Sequence, residues 1–433
     1  MKPRYWVRWM VEQGAPRFLM RYQAWRGDPF GKLFGTAAAR HDPYPFIEEL
    51  RARGRLARTP VASITTDYEL TRNILRDSRF GVFILDNANT PERIQRIVRK
   101  APLLANPVEP PSMLTIDPPD HTRIRKSVSA AFTPRAVGRL RDRVESVTEE
   151  LLDALPANGS ADLIADFASQ VPIAIISEML GFPDESRAEF LEWGDRVSPM
   201  LDLGLSWRDW RVAAKSIEEM DRYLDGHIAR LRVSPGEDIL SSLVTAGNLD
   251  ERELKATATL LMGAGFETTV NLIGNAVVQL LARPEQLARL RAEPDGWPLA
   301  VEEVLRFDPP VQNTARQALC DIELDGIRFR QGATVVLSLA GANRDPKVFE
   351  DPNTFDATRA NAKDHLTFSS GIHICLGASL ARMEASYALR ALFERFPDLR
   401  LSGTPQRRPL FTLHGYSHMP VLLGPRAHAT VGQ

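Results

Sequence analysis

The chain of 433 residues carries 54 Lys and Arg against 55 Asp and Glu, a formal charge of −1, with 44% apolar and 25% charged residues. That balance excludes a typical nucleic-acid binder, which needs a strong basic excess, and the length suffices to bury a large core without covalent staples. Two cysteines, Cys320 and Cys375, exclude a disulfide scaffold and fit a reducing cytosol; neither a transmembrane helix nor a secretory signal is expected.

Read from the N-terminus, the first segment stands apart. Residues 1–35 carry seven basic side chains (Lys2, Arg4, Arg8, Arg17, Arg21, Arg26 and Lys32) against Glu12 and Asp28, a local charge of +5, interleaved with Trp6, Trp9, Met10, Phe18, Leu19 and Trp25. This predicts a basic aromatic arm, 1–35, followed by a single body, 36–433. Trp6, Trp9 and Met10 share a helical face, but Gly14 and Pro16 interrupt the pattern, so any helix should be short. Two readings fit the arm: peripheral contact with an anionic membrane, or packing of its aromatics on the acidic body.

In the body, Val61–Thr65 is a strand candidate. Residues 102–119 hold six prolines (Pro102, Pro107, Pro110, Pro111, Pro118 and Pro119) mixed with Leu103, Leu104, Met113, Leu114 and Ile116, which suits an ordered loop over apolar surface better than a linker. Thr133-Pro134 is a cap and first-turn proline opening one helix whose face runs Val137, Leu140, Val144, Val147, Leu151 and Leu155. Ile173, Ile176 and Leu180 mark another, stopped at Gly181. The longest helix should run from a cap at Asp250, with Glu253 three residues on, to near Ala282, roughly 48 Å. Ile322–Phe329 reads as a hairpin around Asp325-Gly326, and Thr334–Leu339 as a strand. The coarse result is a mainly helical body with small β-sheets.

Four constellations carry chemistry. Phe368-Ser-Ser-Gly371-Ile-His373-Ile-Cys375-Leu-Gly377 precedes a helical pattern through Leu380, Met383, Tyr387, Leu392 and Phe396. A cysteine at a helix N-terminus meets free N–H groups and the positive dipole end, both favouring thiolate. Gly371 and Gly377 permit tight turns and close approach of a flat ligand. A buried structural cysteine is the alternative. Within the long helix, Ala264-Gly265-Phe266-Glu267-Thr268-Thr269 runs against helix propensity and leaves room for something bulky. The alternative is a small-residue helix contact with Thr268 bonding back to a carbonyl. Glu303 and Arg306 face each other on a helix, as surface pairs commonly do. His121 and Arg125, after Asp117-Pro-Pro-Asp120, can reach one anionic group together; an ordinary helix start is the alternative.

Together the four resemble the cytochrome P-450 family of haem-thiolate monooxygenases. The family's cysteine loop, Phe-x-x-Gly-x-[Arg/His]-x-Cys-x-Gly, is matched at 368–377. Its [Ala/Gly]-Gly-x-[Asp/Glu]-Thr-Thr helix is matched at 264–269, and its Glu-x-x-Arg at 303–306. The likeness covers about residues 42 to 423 and is strongest to the soluble actinobacterial branch. It implies a triangular helical prism around buried haem b (iron protoporphyrin IX). It implies Cys375 as the axial iron ligand, Glu267 and Thr268 as a proton relay, and His121, Arg125, Arg316 and His373 as propionate ligands. Ala264, Phe368, Gly371 and Gly377 would border the haem. Glu303 and Arg306 would form a buried pair with Arg344 as neighbour.

The implied activity is hydroxylation of a hydrophobic small molecule (polyketide or macrolide, lipid or steroid) with O2 and two electrons. Pocket candidates are Leu103, Leu104, Met200, Leu201, Leu203, Leu205, Ala264, Val311, Gln312 and Asn313. The chain carries no flavin or iron–sulfur motif, so a ferredoxin and its reductase are expected, docking near Arg123 and Lys126. The protein is expected to be a cytoplasmic monomer; on the first of the two readings of the arm, residues 1–35 would give it peripheral contact with the membrane, and on the second none. Rival readings are a peroxide-driven peroxygenase, which typically replaces the acid–threonine pair, and a non-catalytic haem or lipid binder, which needs none. Cys320 has no role and is expected to be a buried small hydrophobe. His414, Tyr416 and His418 fall in a late turn that either dips toward substrate or packs.

Overall fold

A computed structural model describes residues 3–83, 92–101 and 103–427; Lys2 and Pro102 lie outside them. The centre is the helix Glu251–Leu281, 31 residues long. Asp250 and Glu253 close a reciprocal capping box at its start, satisfying N–H groups that a helix leaves free. Its middle is buried on nearly every side, as in a helix enclosed by others, and carries Glu267, Thr269, Asn271 and Asn275 among its apolar residues. Gln170–Met179, Trp297–Phe307 and Ala378–Arg395 pack around it, and the largest apolar cluster of the protein forms among them. Two glycines set the spacing. A Cβ on Gly265 would press on Ile176, and one on Gly194 would overlap the Phe266 ring.

A five-stranded sheet lies to one side, in the order Ala57–Arg58, Ser63–Thr65, Thr334–Ser338, Asn313–Ala318, Phe80–Val82. Ile64 pairs in parallel with Val336, which also faces Ala315 in antiparallel register. The expected hairpin is present: Ile322–Leu324 pairs with Ile327–Phe329. Asp325 and Gly326 both have positive φ, at 52° and 76°, as a tight hairpin turn of matching twist requires.

Three expectations differ from the structure. The helix expected from Thr133 to Leu155 is two, Pro134–Gly138 and Arg141–Ala154; the break falls at Gly138, where helix propensity is weakest. The arm stays helical through Gly14. Pro3–Trp9 and Ala15–Trp25 are joined by a π-helical turn, Met10–Gly14. That turn places Pro16 in the first turn of the next helix, where its missing N–H costs nothing. Cys320 is exposed, because it sits in the turn after Ala318, beyond the sheet's covered face.

Glu384, a buried acid outside the motifs, lies on Ala378–Arg395 and is enclosed against the long helix, where it meets the hydroxyl of Thr269. Among the described residues no helix is long and apolar enough to cross a membrane.

Candidate active site

The cysteine loop is built by close backbone packing. Gly371 has φ +72°, and a Cβ there would collide with the carbonyl of Leu75, so only glycine fits. A 3-10 turn, Gly371–His373, follows. The N–H of Cys375 donates to the carbonyl of Phe368 at 2.8 Å, and the helix Ala378–Arg395 then begins. Phe368 carries the Arg382 guanidinium on its face at 4.4 Å. Cys375 is exposed as a residue, while its thiol is closely surrounded by protein. Burial pushes its thiol pKa up. The N–H of Gly377 and the charges of Arg125 and Arg382 oppose this. Desolvation thus outweighs the N–H and cationic groups that favour thiolate at this position.

The helix Asp120–Ser129 meets this loop. The His121 and His373 rings are 4.2 Å apart, and Arg125 donates to the carbonyl of Ile374 at 2.6 Å. Arg316, buried on the strand Asn313–Ala318, donates to its neighbours Thr314 Oγ1 and Ala315 O. One acid stands close, Asp117, 3.7 Å from His373 Nε2; its carboxylate also accepts from the N–H of Val82. Both ring nitrogens of His121 and Nε2 of His373 are buried without a hydrogen-bond partner. Burial, with His373 and Arg125 beside it, lowers the His121 pKa to about 4. Burial lowers that of Arg316 to about 10. The Arg125 and Arg316 guanidinium groups, with the His121 and His373 imidazoles beside them and Asp117 as the close acid, suit a ligand bearing carboxylates. Haem, with two propionates and an iron that takes a thiolate, fits this donor set.

The long helix contributes a surface of small side chains. Ala264 is exposed in the middle of an otherwise well-covered helix, and a Cβ on Gly263 would meet nothing within 4 Å. Thr268 Oγ1 donates to the carbonyl of Ala264 at 3.0 Å. Both readings of this motif are therefore present at once: Gly265 serves helix packing, while Gly263 and Ala264 leave space. Glu267 turns a different way. It is buried, its Oε1 lies 3.1 Å from Nε of Arg408, and Arg408 also pairs with the exposed Asp195. Burial raises the Glu267 pKa against the pull of Arg408.

Glu303 and Arg306 are both 0% exposed and doubly bonded, at 2.7 and 2.8 Å. Arg306 further donates to the carbonyls of Asn343, Pro352 and Thr354. The third charged partner is Arg359, 3.3 Å from Glu303. Arg344, expected in that place, instead donates to the carbonyl of Phe307 and stacks on Tyr44.

Of the pocket candidates, four are brought together by the segment 411–413. Leu201 O accepts from Thr412 Oγ1, Val311 bridges Leu413, Gln312 N–H donates to Thr412 O, and Asn313 donates to Phe411 O. Asp202 fixes that segment by accepting from the N–H groups of Phe411 and Thr412. Leu103 and Met200 are buried in the main core, while Leu104 is exposed. The late turn packs. His414 is buried against Asp308 at 2.8 Å, Tyr416 is in the core, and His418 sits at the surface beside Asp162. Arg123 is held by Glu253 and Asp120, leaving Lys126 as the freer of the two proposed docking cations. Sequence reasoning placed Asp117 in the His121 motif without giving it a role, and missed Asp195, Arg359 and Arg408, which lie in no motif.

The chain matches the family model "Cytochrome P-450" over residues 96–296 and 298–419. It is 44% identical over 429 residues to cytochrome P-450 140 of Mycobacterium tuberculosis, covering 97% of this chain and 98% of that one. It is 41% identical over 321 residues to the 6-deoxyerythronolide B hydroxylase of Saccharopolyspora erythraea, covering 72% and 78%. Among solved structures it resembles P-450 BioI in complex with an acyl carrier protein ligated to hexadec-9Z-enoic acid, with a TM-score of 0.80 and 35% identity, covering 89% of this chain and 99% of that one. The match of fold, motifs and site places the chain in the cytochrome P-450 monooxygenase family.

Proposed function

We propose that the chain hydroxylates an apolar small molecule of the polyketide or macrolide, lipid or steroid class, with Cys375 as axial ligand of haem b. The observation that carries this reading is the convergence of His121, Arg125, Arg316 and His373 beside the Cys375 loop, with Asp117 as their close acidic neighbour. Those four residues would hold the propionates, with Phe368, Gly371 and Gly377 shaping the thiolate side and Ala264 the opposite side. The haem, when bound, supplies reductive activation of O2, with electrons drawn from a ferredoxin and its reductase.

The chain's own part is proton handling and exclusion of water. Thr268 presents a hydroxyl on the open side of the long helix, already ordered by Ala264 O. Glu267, one residue away, is linked through Arg408 to the surface at Asp195. A protonated Glu267 can hand its proton toward Thr268 and regain one from solvent water on the Asp195 side, while Arg408, whose guanidinium keeps its own protons, positions it. The intact acid–threonine pair favours the O2-driven monooxygenase over a peroxygenase. Leu201, Val311, Gln312 and Asn313, tied to Phe411–Leu413, would form one wall of the substrate pocket, with Leu103, Leu104 and Met200 contributed from separate segments. The name of the Saccharopolyspora relative supports a macrolide-sized substrate. The protein is expected to act as a cytoplasmic monomer.

The test is the reduced carbon monoxide spectrum. Cys375→Ser should lose the thiolate-type band, while Cys320→Ser, at an exposed turn, should keep it. Retention of the band by the Cys375 variant would overturn the ligand assignment.

A further inference from the structure

The arm has two faces, and the catalytic reading uses neither. The inner face is fastened to the body. Arg8 is buried and pairs with Glu12 and Glu109, Trp9 Nε1 donates to the carbonyl of Leu205 at 2.9 Å, and Gln13 Oε1 accepts from the N–H groups of Gly204 and Leu205. These bonds hold the outer face in a fixed orientation.

On that outer face, Phe18, Tyr22 and Trp25 recur at the i, i+4, i+7 spacing of one helical stripe. Phe18 is 75% and Trp25 81% exposed. With Trp9, Met10 and Arg21 they line a groove of about 780 Å³. Leu19 and Trp6 extend the exposed apolar surface. Tyr22 meets the Trp25 ring and the Arg26 guanidinium, and the described residues leave Phe18 and Trp25 otherwise largely uncovered.

Charge accompanies the stripe. No acid occurs between Gln13 and Gly27, while Arg17, Arg21 and Arg26 do. Arg17 and Arg21 stand near Arg40, whose pKa they help to lower, and Arg40 Nε is buried without a hydrogen-bond partner. The acid closest to them in effect, Asp202, already accepts from the N–H groups of Phe411 and Thr412. Guanidinium groups bordering a row of exposed aromatics match an interface that is anionic at the headgroups and apolar just beneath.

The geometry points to the surface of an anionic phospholipid bilayer as the partner of this face, with Arg17, Arg21 and Arg40 at the phosphates and Phe18, Tyr22 and Trp25 at the acyl boundary. The arm's bonds to Gly204 and Leu205 would then turn the connection between the helices Arg187–Val197 and Trp207–Val233 toward the lipid.

The experiment is co-sedimentation of the full-length, haem-loaded protein with vesicles of phosphatidylcholine, with or without one quarter phosphatidylglycerol. Wild type should pellet with the anionic vesicles, and salt should release it. The double variants Arg21→Glu/Arg26→Glu and Phe18→Ser/Trp25→Ser should each bind about tenfold or more weakly. An unchanged carbon monoxide spectrum and melting temperature would show that each remains folded. Equal binding of wild type and both variants would overturn the proposal, as would the absence of wild-type sedimentation. So would a solution dimer abolished by Phe18→Ser/Trp25→Ser with no vesicle binding, or capture by an acidic soluble protein without capture by vesicles. None of these outcomes depends on turnover, so failure here leaves the catalytic reading untouched.

Discussion

Glu384→Gln is expected to stabilise the protein, increasingly as pH rises. Glu384 is enclosed between the helices Ala378–Arg395 and Glu251–Leu281, and burial lifts its pKa from 4.5 to about 8 despite the Thr269 hydroxyl. The folded chain therefore keeps a proton that the unfolded chain releases above 4.5. Wild-type stability from this group is complete below 4.5, declines as pH rises toward about 8, and is flat beyond. Each pH step over which only the folded state holds the proton costs about 1.4 kcal/mol. The full interval sets an upper bound of about 5 kcal/mol, and local relaxation should reduce it to about 2–3 kcal/mol. Glutamine has nearly the same shape and cannot ionise, so it lacks this slope. Urea unfolding of both haem-loaded proteins, followed by tryptophan fluorescence from about pH 5 to pH 8, should give curves that meet at the acid end and separate at the alkaline end. Parallel curves would refute the placement of an isolated, protonated carboxyl at this position.

Thr268→Ala should consume reductant but release peroxide in place of product; equal coupling of oxygen use to product would remove its hydroxyl from the mechanism. Glu303→Gln breaks a fully buried ion pair and should cost about 3–5 kcal/mol in urea unfolding; a loss below about 1 kcal/mol would mean that the pair is not closed as the structure shows. Arg408→Gln takes away the charge that opposes the raised pKa of Glu267. Its pH profile of turnover should shift to higher pH, and an unmoved profile would separate Glu267 from the proton path.

What could be read from the sequence had a fixed local spacing. The long helix was legible because a capping box opens it and apolar residues fill it. The cysteine loop was legible because its glycines and cysteine are ordered by a tight backbone path. Arg408 could not be found this way. It lies 141 positions after Glu267 and joins it through tertiary packing alone. The choice between Arg344 and Arg359 at Glu303 is of the same kind, since both belong to one irregular segment and the pairing is set by how that segment folds back. The strands Arg400–Leu401, Gln406–Arg407 and Tyr416–His418 are two or three residues long, too short for alternation to register. The arm's continuity was hidden because a π-helical turn has no simple sequence signature, and Gly14 and Pro16 are ordinarily breakers.

The distribution of buried charge separates structural sites from ligand sites. Where the body encloses a charge for its own stability, it surrounds it with opposite charge. Glu303 meets Arg306 and Arg359, Asp308 meets Arg407 and His414, Glu302 meets His365 and Arg382, and Lys255 meets Asp221 and Asp225. The same chain encloses the Arg316 guanidinium, beside the neutral imidazole of His121, with a much weaker counterweight, since Asp117 is the acid close to that group and lies 3.7 Å from His373. An isolated buried charge is too costly to persist without a purpose. The exception lies beside Cys375, where the proposed propionates would supply the negative charge. Arg40, with its unpartnered Nε beside Arg17 and Arg21, breaks the same rule in a milder, half-buried form. It does so at the edge of a strip of surface where exposed aromatics and guanidinium groups coincide, which is the observation behind the proposed bilayer contact of the arm.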